Sequence, residues 1–394
     1  MPTCAAHASC AVTCRNDRHH RHHLETTTMR VAIIGTGLIG ASLGLAFRRA
    51  ESVKTVVGHD ADNTNLATAL TKGALDSATT NLTDAAENAD VVVLAVPPSV
   101  IEQVAEQVVP HMAEDAILTD VGSVKGEVVA AMERAVAGSS VHVVGGHPMA
   151  GSHEHGPETA MADMFVGATW LLTPTASTNQ AALDRMTALV AGVGAQPVVV
   201  DPKAHDLLVA VISHVPQLTA TTLMTLAAER ARKEDARLLL LAGGGFRDAT
   251  RVAASNPEMW LQICRENSEA IVQVLDEYAA RIGQLRMMLH DFDSERLSAM
   301  LTDAREARNA MPGKGGVSGQ LVELRVVIPD APGAIADITS TVSGLGINIE
   351  DIGIDHAPDG KRGQMRLAVN GFEAAEKAHE ALGANGYEVL ERAS

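Results

Sequence analysis

The segment Gly35-Thr-Gly-Leu-Ile-Gly40 constrains this chain more than any other stretch. It stands between a short β-rich apolar run, Arg30 to Ile34, and an apolar helical run, Ala41 to Arg49. In that setting Gly35 permits a tight turn, Gly37 lets backbone approach a pyrophosphate, and Gly40 allows helix and strand to pack closely. Leu38 and Ile39 belong to the same cofactor loop, and the helix that follows it offers free N–H groups and a macrodipole that favour an anion. Asp60 follows Gly40 by twenty residues, at the end of the second apolar run, where a carboxylate can bind both ribose hydroxyls. The same carboxylate repels a 2′-phosphate and no arginine follows it closely, so NAD is favoured over NADP; Arg48 and Arg49 pull the other way. Val96 and Pro97, in Leu94-Ala-Val-Pro-Pro98, are expected to pass beneath the dinucleotide, although a strand merely stopped by proline is spelled the same way.

Beyond that loop, short apolar runs keep alternating with helical patterns. Strands are expected at Thr55 to Gly58, Asp90 to Ala95, Ile117 to Asp120, Val141 to Val144, Thr169 to Leu172 and Pro197 to Val200. The alternation implies an α/β, Rossmann-type, doubly wound and mostly parallel sheet over residues 29–202. Residues 203–310 read as helices, broken at Pro216, at Gly243-Gly-Gly245 and before Pro257. A Gly-rich linker, 311–320, leads to a β-α-β-β-α-β order over 321–394, a small ferredoxin-like α+β domain.

A chain of 394 residues is long enough for two or three such domains. Its net charge of -17 argues against nucleic acid, which needs clustered Lys and Arg. Anionic substrates must therefore meet local positive charge. No apolar run approaches the roughly 20 residues of a membrane span, and the N-terminus lacks the apolar stretch of a secretory signal, so the expectation is a cytoplasmic protein. Cys4, Cys10 and Cys14 share residues 1–28 with five histidines, in no paired zinc-ligand spacing. That stretch is expected to be a disordered extension ahead of Met29, and with only Cys264 in the body no disulfide framework is expected.

Ligands of open parallel sheets bind outside the carboxyl ends of the strands. Two polar motifs fall there, Asp120-Val-Gly-Ser-Val-Lys125 and Gly145-Gly-His-Pro-Met-Ala-Gly151. His147 is a natural general base near neutral pH, and the Ser123 hydroxyl can fix its tautomer. A satisfied loop histidine is the blander account. Lys125 can serve simply to neutralise Asp120. His153 and His155, with no cysteine or carboxylate pair beside them, make a weak metal site and are read with Glu154 as the rim of a pocket.

The glycine loop, "DVGSVK", "GGHPMAGS", "SHVPQ" at Ser213 to Gln217 and "GGGFRDATRVA" at Gly243 to Ala253, in this order, resemble the prephenate/arogenate dehydrogenases of tyrosine biosynthesis over residues 29–310. The resemblance implies a nucleotide-binding domain, an all-helical dimerisation domain and a homodimer. It also implies NAD-dependent oxidative decarboxylation of prephenate or arogenate, with His147 at the C4 hydroxyl and Ser123 orienting it. Pro216 cannot donate to the Ile212 carbonyl, so the helix should kink and aim His214 inward. Arg251 has the planar fork suited to a substrate carboxylate, and Asp248, three residues earlier on one helical face, can orient it. Trp260 matches a substrate-pocket position, though core packing explains it equally. Two departures, His153 with Glu154 displaced by one, and Gln217 where His is frequent, bear on which substrate side chain fits.

Ile328-Pro-Asp-Ala-Pro-Gly-Ala-Ile335 and Gly346-Ile-Asn-Ile-Glu350 resemble an ACT domain, the amino-acid-sensing module of many biosynthetic enzymes. The resemblance implies an effector, tyrosine or another aromatic amino acid, held near Asp330, Gly333 and Asn348. A domain that only helps dimerise, a non-catalytic NAD and amino-acid sensor, and a hydroxyacid-type dehydrogenase are the competing readings.

Overall fold

The computed structural model describes residues 28–151, 154–311, 321–356 and 362–393. The expected extension before Met29, nearly all of the linker, and His153 lie outside the described residues.

The first domain is an eight-stranded sheet: β1 Met29–Ile34, β2 Val53–His59, β3 Ser77–Ala78, β4 Val91–Leu94, β5 Ile117–Asp120, β6 His142–Pro148, β7 Thr169–Pro174 and β8 Gln196–Val199. Their spatial order is β3-β2-β1-β4-β5-β6-β7-β8. All neighbours from β3 to β6 pair in parallel; β7 runs antiparallel to β6, and β8 parallel to β7. Because helices cover both faces, the central strands are apolar throughout rather than alternating. Val31, Ile33, Val91 and Val93 face Leu43 and Phe47 on one side. Ala32, Ile34, Val92 and Leu94 face Ile101 and Val108 on the other.

The chain winds one way from β1 to β3 and resumes on the opposite side of β1 with β4, so a crevice opens where the order reverses. Two differences from the sequence reading bear on the site. The two-residue β3 was not foreseen. The sixth strand does not stop at Val144 but carries Gly145, Gly146, His147 and Pro148, with His147 opposite Leu171 of β7. His147 therefore sits on a rigid element and not in a loop.

Asp201 caps the helix Pro202–Val209 by accepting from the N–H groups of Lys203 and Ala204. A wide π-helical turn, Ala210–His214, precedes the helix Val215–Lys233. Pro216 lacks the N–H that would close an ordinary turn onto Ile212, so the expected kink takes this form. The helices Gly244–Thr250, Pro257–Glu266, Ser268–Asp291 and Ser294–Asn309 complete the second domain. The stretch Pro202–Lys233 corrects the expectation that no segment matches a membrane span, being long and apolar enough by composition. It nevertheless carries the buried His205 and His214.

The C-terminal sheet consists of β9 Leu321–Pro329, β10 Ile349–His356, β11 Arg362–Asn370 and β12 Glu388–Ala393, in the antiparallel order β10-β11-β9-β12. Helices Ala334–Gly344 and Phe372–Ala384 cover one face around Leu324, Val326, Ile338, Leu367, Ala378 and Leu382. This is the ferredoxin-like arrangement that the element order implied.

Candidate functional site

The glycine loop lies at the crevice. Gly35 has φ +94°, and a Cβ there would lie 2.3 Å from the Ala95 carbonyl oxygen, so only glycine fits against the end of β4. A Cβ on Gly40 would meet the Gly35 oxygen at 1.9 Å, whereas one on Gly37 would meet nothing within 4 Å. Gly37 thus borders open space, and the helix Leu38–Phe47 points its N-terminus into it. That space is a cavity of about 530 Å³ whose wall includes Gly37, Leu38, Ile39, Gly40, Pro97, Ser123, His147, Glu154 and His155.

Val96 packs beneath, its side chain 3.1 Å from the position a Gly35 Cβ would take. Asp60 is tied into the loop: one oxygen accepts from the N–H and hydroxyl of Thr36 at 2.6 and 3.1 Å, the other from the Asp62 N–H at 2.8 Å. The second oxygen retains a lone pair for a hydroxyl. Arg48 pairs with Asp76 and Arg49 with Asp163, so both guanidinium groups are engaged away from Asp60.

Opposite the loop, a partly buried hydrogen-bond chain joins the first two domains. His147 Nδ1 lies 2.9 Å from His205 Nε2, and His205 Nδ1 lies 2.9 Å from Asp206 Oδ1. The Asp206 carboxylate accepts from the N–H groups of Lys125 and Gly126, both at 2.7 Å, and so caps the helix Gly126–Val136 from another domain. Asn267 donates to the Asp206 carbonyl at 2.9 Å and lies 3.1 Å from His214 Nδ1. Lys125 and Asp120, both fully buried, form an ion pair. Asp120 also accepts from the N–H groups of Gly122 and Gly146.

This environment decides protonation. Burial, reinforced by the positive charge of Lys125 and by His205 and His214, holds His147 well below the usual imidazole range, leaving it a neutral base at physiological pH. Burial lowers His214 to about 4, against a smaller opposing pull from Asp206. Burial also lowers Lys125, although Asp120 opposes it. For Asp206 burial alone would raise the carboxyl, but the bonds from His205, Lys125 and Gly126 outweigh it, and the net direction is down.

Several expected contacts take a different form. Ser123 shares the cavity wall with His147, but among the described residues the imidazole's hydrogen-bond partner is His205. Asp248 and Arg251 are both exposed and form no ion pair among the described residues, because the helix ends at Thr250 and the chain tightens into the turn Arg251–Ala254. His214 and Gln217 are buried and do not line the cavity: Gln217 accepts from Ser255 at 3.4 Å, and His214 meets the Trp260 ring edge-on with centroids 5.9 Å apart. Trp260 keeps a buried indole N–H without a hydrogen-bond partner among the described residues.

The sequence reading missed His205, Asp206, Asn267 and Glu266. Glu266 lines the cavity, accepts from Gln262 at 2.8 Å, and is raised by burial. The adjacent His205-Asp206 pair inside an apolar helix was the available signal. In the C-terminal domain Gly333 has φ +95° at the start of its helix, and Asp330 borders a small cavity with Ala331 and Ala334. Asn348 donates to Glu350 at 2.9 Å.

Comparison with known proteins accords with this geometry. Residues 43–199 match the family model described as the nucleotide-binding domain of prephenate dehydrogenase, and residues 201–303 match its dimerization domain. The chain is 31% identical to a prephenate dehydrogenase of Bacillus subtilis over 89% of this chain and 95% of the relative. It is 32% identical to a cyclohexadienyl dehydrogenase of Zymomonas mobilis over 73% of this chain and 97% of that one. Among solved structures it resembles a Synechocystis arogenate dehydrogenase (TM-score 0.65, 29% identity, 71% of this chain and 99% of that one). It is similarly close to an Aquifex aeolicus prephenate dehydrogenase in complex with hydroxyphenyl propionate and NAD+ (TM-score 0.65, 29% identity, 71% of this chain and 97% of that one). A doubly wound nucleotide-binding sheet, a helical second domain and homology across both place the chain in the prephenate dehydrogenase family of oxidoreductases.

Proposed function

We propose that the protein oxidatively decarboxylates prephenate to 4-hydroxyphenylpyruvate with NAD, in tyrosine biosynthesis in the cytoplasm. The observation that carries this reading is a neutral, half-buried imidazole, His147, on the wall of a cavity that continues to the glycine loop. In the reaction the C4 hydroxyl loses its proton, the C4–H electron pair leaves as hydride, and the bond from C1 to its carboxylate breaks to release carbon dioxide and an aromatic ring. NAD, when bound, supplies the hydride acceptor. His147 takes the C4 hydroxyl proton. The open face of Gly37, the helix N-terminus and the lone pair left on Asp60 suit a dinucleotide, and the engagement of Arg48 and Arg49 elsewhere favours NAD over NADP.

Ser123 lines the same cavity and is positioned for substrate or cofactor. Arg251, exposed and without a carboxylate partner among the described residues, is the guanidinium available for a substrate carboxylate. Trp260 and His214 back the pocket. A second reading, arogenate as substrate, draws on Glu154 at the rim, where a carboxylate favours an ammonium, and on the amide of Gln217. The exposed Leu226, Leu240 and Leu241 of the helical domain suit a homodimer. The C-terminal domain, read as an ACT module, would take tyrosine near Asp330, Gly333 and Asn348 and lower the rate.

Following nicotinamide reduction with prephenate or arogenate, each with NAD or NADP, tests the reading. Prephenate with NAD is expected to react fastest. A faster arogenate reaction would move the assignment to the second reading, and no reduction in any of the four mixtures would remove both.

A further inference from the structure

We propose that His205 is a positioning residue: with Asp206 it holds His147 in the tautomer that carries its proton on Nδ1 and leaves Nε2 as the proton acceptor. This rests on the reading of His147 as the base.

The directions of the bonds follow from what each group can donate. Asp206, ionised at neutral pH, can only accept, and its carboxylate already takes two backbone N–H bonds from Lys125 and Gly126 at 2.7 Å. His205 Nδ1, 2.9 Å from Asp206 Oδ1, is therefore the N–H side of that ring. With a single ring proton, the one shared with Asp206, His205 Nε2 would carry a lone pair; this is the arrangement the proposal assigns. The atom 2.9 Å from that lone pair is His147 Nδ1, which must bring the proton. The two rings are tilted by 59° with centroids 5.1 Å apart, an edge contact rather than a stack. His147 Nε2 is then the basic atom of a side chain on the cavity wall.

The same chain steadies the product of proton transfer. When His147 becomes an imidazolium, its Nδ1–H bond to His205 becomes charge-assisted, and the His205 dipole ends on the Asp206 carboxylate. Burial first, and then the charge of Lys125, oppose protonation of His147. The chain also crosses a domain boundary. His147 belongs to β6, whereas His205 and Asp206 belong to the first helix of the helical domain, and Asp206 is anchored back on residues 125 and 126. The base is thus set in its reactive tautomer by the joint between two domains.

The test pairs kinetics with nitrogen NMR of histidine-labelled full-length protein, the His147 signals being identified by their loss in His147→Gln. The unmutated protein should show His147 with its proton on Nδ1. His205→Leu should lower kcat by about 10²-fold or more, the scale of misplacing a general base, while KM and nucleotide affinity change by less than about threefold. His205→Gln, whose amide oxygen can accept the same proton, should recover part of the rate and keep the tautomer. An Nε2–H tautomer in the unmutated protein would overturn the proposal, and that measurement decides even where His205→Leu does not fold. So would full kcat in His205→Leu. If His147→Gln itself keeps the full rate, the reading of His147 as base fails; if His147→Gln is dead while His205→Leu is not, only the positioning role fails.

Discussion

At Gly37 and Gly40 one substitution should have two different effects. Gly37 has φ -67° and ψ -160°, which any residue adopts, and an added methyl meets nothing within 4 Å. Gly37→Ala should therefore leave the unfolding free energy within about 0.5 kcal/mol of the parent while weakening dinucleotide binding roughly tenfold, because the methyl occupies the space reserved for backbone approach to the pyrophosphate. Gly40→Ala drives its methyl to 1.9 Å from the Gly35 oxygen and 3.2 Å from Ile33, so strand and helix must separate. A loss of about 1–3 kcal/mol in unfolding is expected there. Calorimetric titration with NAD beside urea unfolding distinguishes the two; equal destabilisation by both substitutions would contradict the division of labour. These roles were legible in sequence because each glycine's task is local, within one turn of the motif. The role of His205 was not legible: its partner, His147, lies 58 positions away, and the adjacent His205-Asp206 pair, the one local signal, does not say what it faces.

Elements follow the same rule. The central strands were visible because burial on both faces requires unbroken runs such as Val91 to Leu94, whereas the length of β6 was hidden. Gly145 and Gly146 read as a loop, since glycine weakens strands. They stand in a strand because a Cβ on Gly145 would meet the Thr173 hydroxyl at 2.3 Å and one on Gly146 the Asp120 oxygen at 2.6 Å, demands made by neighbouring strands. The Asp248 and Arg251 pairing failed for the converse reason: a three-residue spacing aligns side chains only while the helix continues, and it ends at Thr250. The wide turn Ala210–His214, which follows from Pro216, has a thermodynamic consequence. It buries His214 with Asn267 at its Nδ1, and the ring's value falls to about 4 from an ordinary 6.5. Between those values the unfolded chain binds the proton that the folded chain refuses, so stability is full above about pH 6.5 and is lost as pH falls toward 4. Allowing for partial solvation, His214 accounts for roughly 2 kcal/mol of that loss. Urea unfolding from pH 7.5 to 4.5 should show a shallower decline in His214→Gln than in the parent; parallel curves would assign the pH dependence to other groups.

At the scale of the whole molecule, the two sheets are built independently. Among the described residues no strand of the eight-stranded sheet pairs with the C-terminal four, and the C-terminal core of Leu324, Val326, Ile338 and Leu367 is closed by its own two helices. Catalysis, as proposed, needs the first two domains only: the glycine loop, His147 and the His205 to Asp206 chain all lie before residue 311. The interface between those two is polar and specific, since Asp206 must reach the N–H groups of Lys125 and Gly126 while Asn267 holds the Asp206 carbonyl. Ending the chain at Met311 should therefore preserve the unregulated reaction, with kcat/KM within about twofold of the full chain, a difference below 0.5 kcal/mol. What it should remove is any response to tyrosine, because the proposed effector loop of Asp330, Gly333 and Asn348 is gone. Initial rates over a tyrosine series, in the full chain and in the shortened one, read this directly. Inhibition in the full chain alone supports a coupling free energy transmitted from the C-terminal domain. Equal inhibition in both would place tyrosine in the catalytic cavity as a product-like competitor and leave the C-terminal domain without the regulatory role proposed for it.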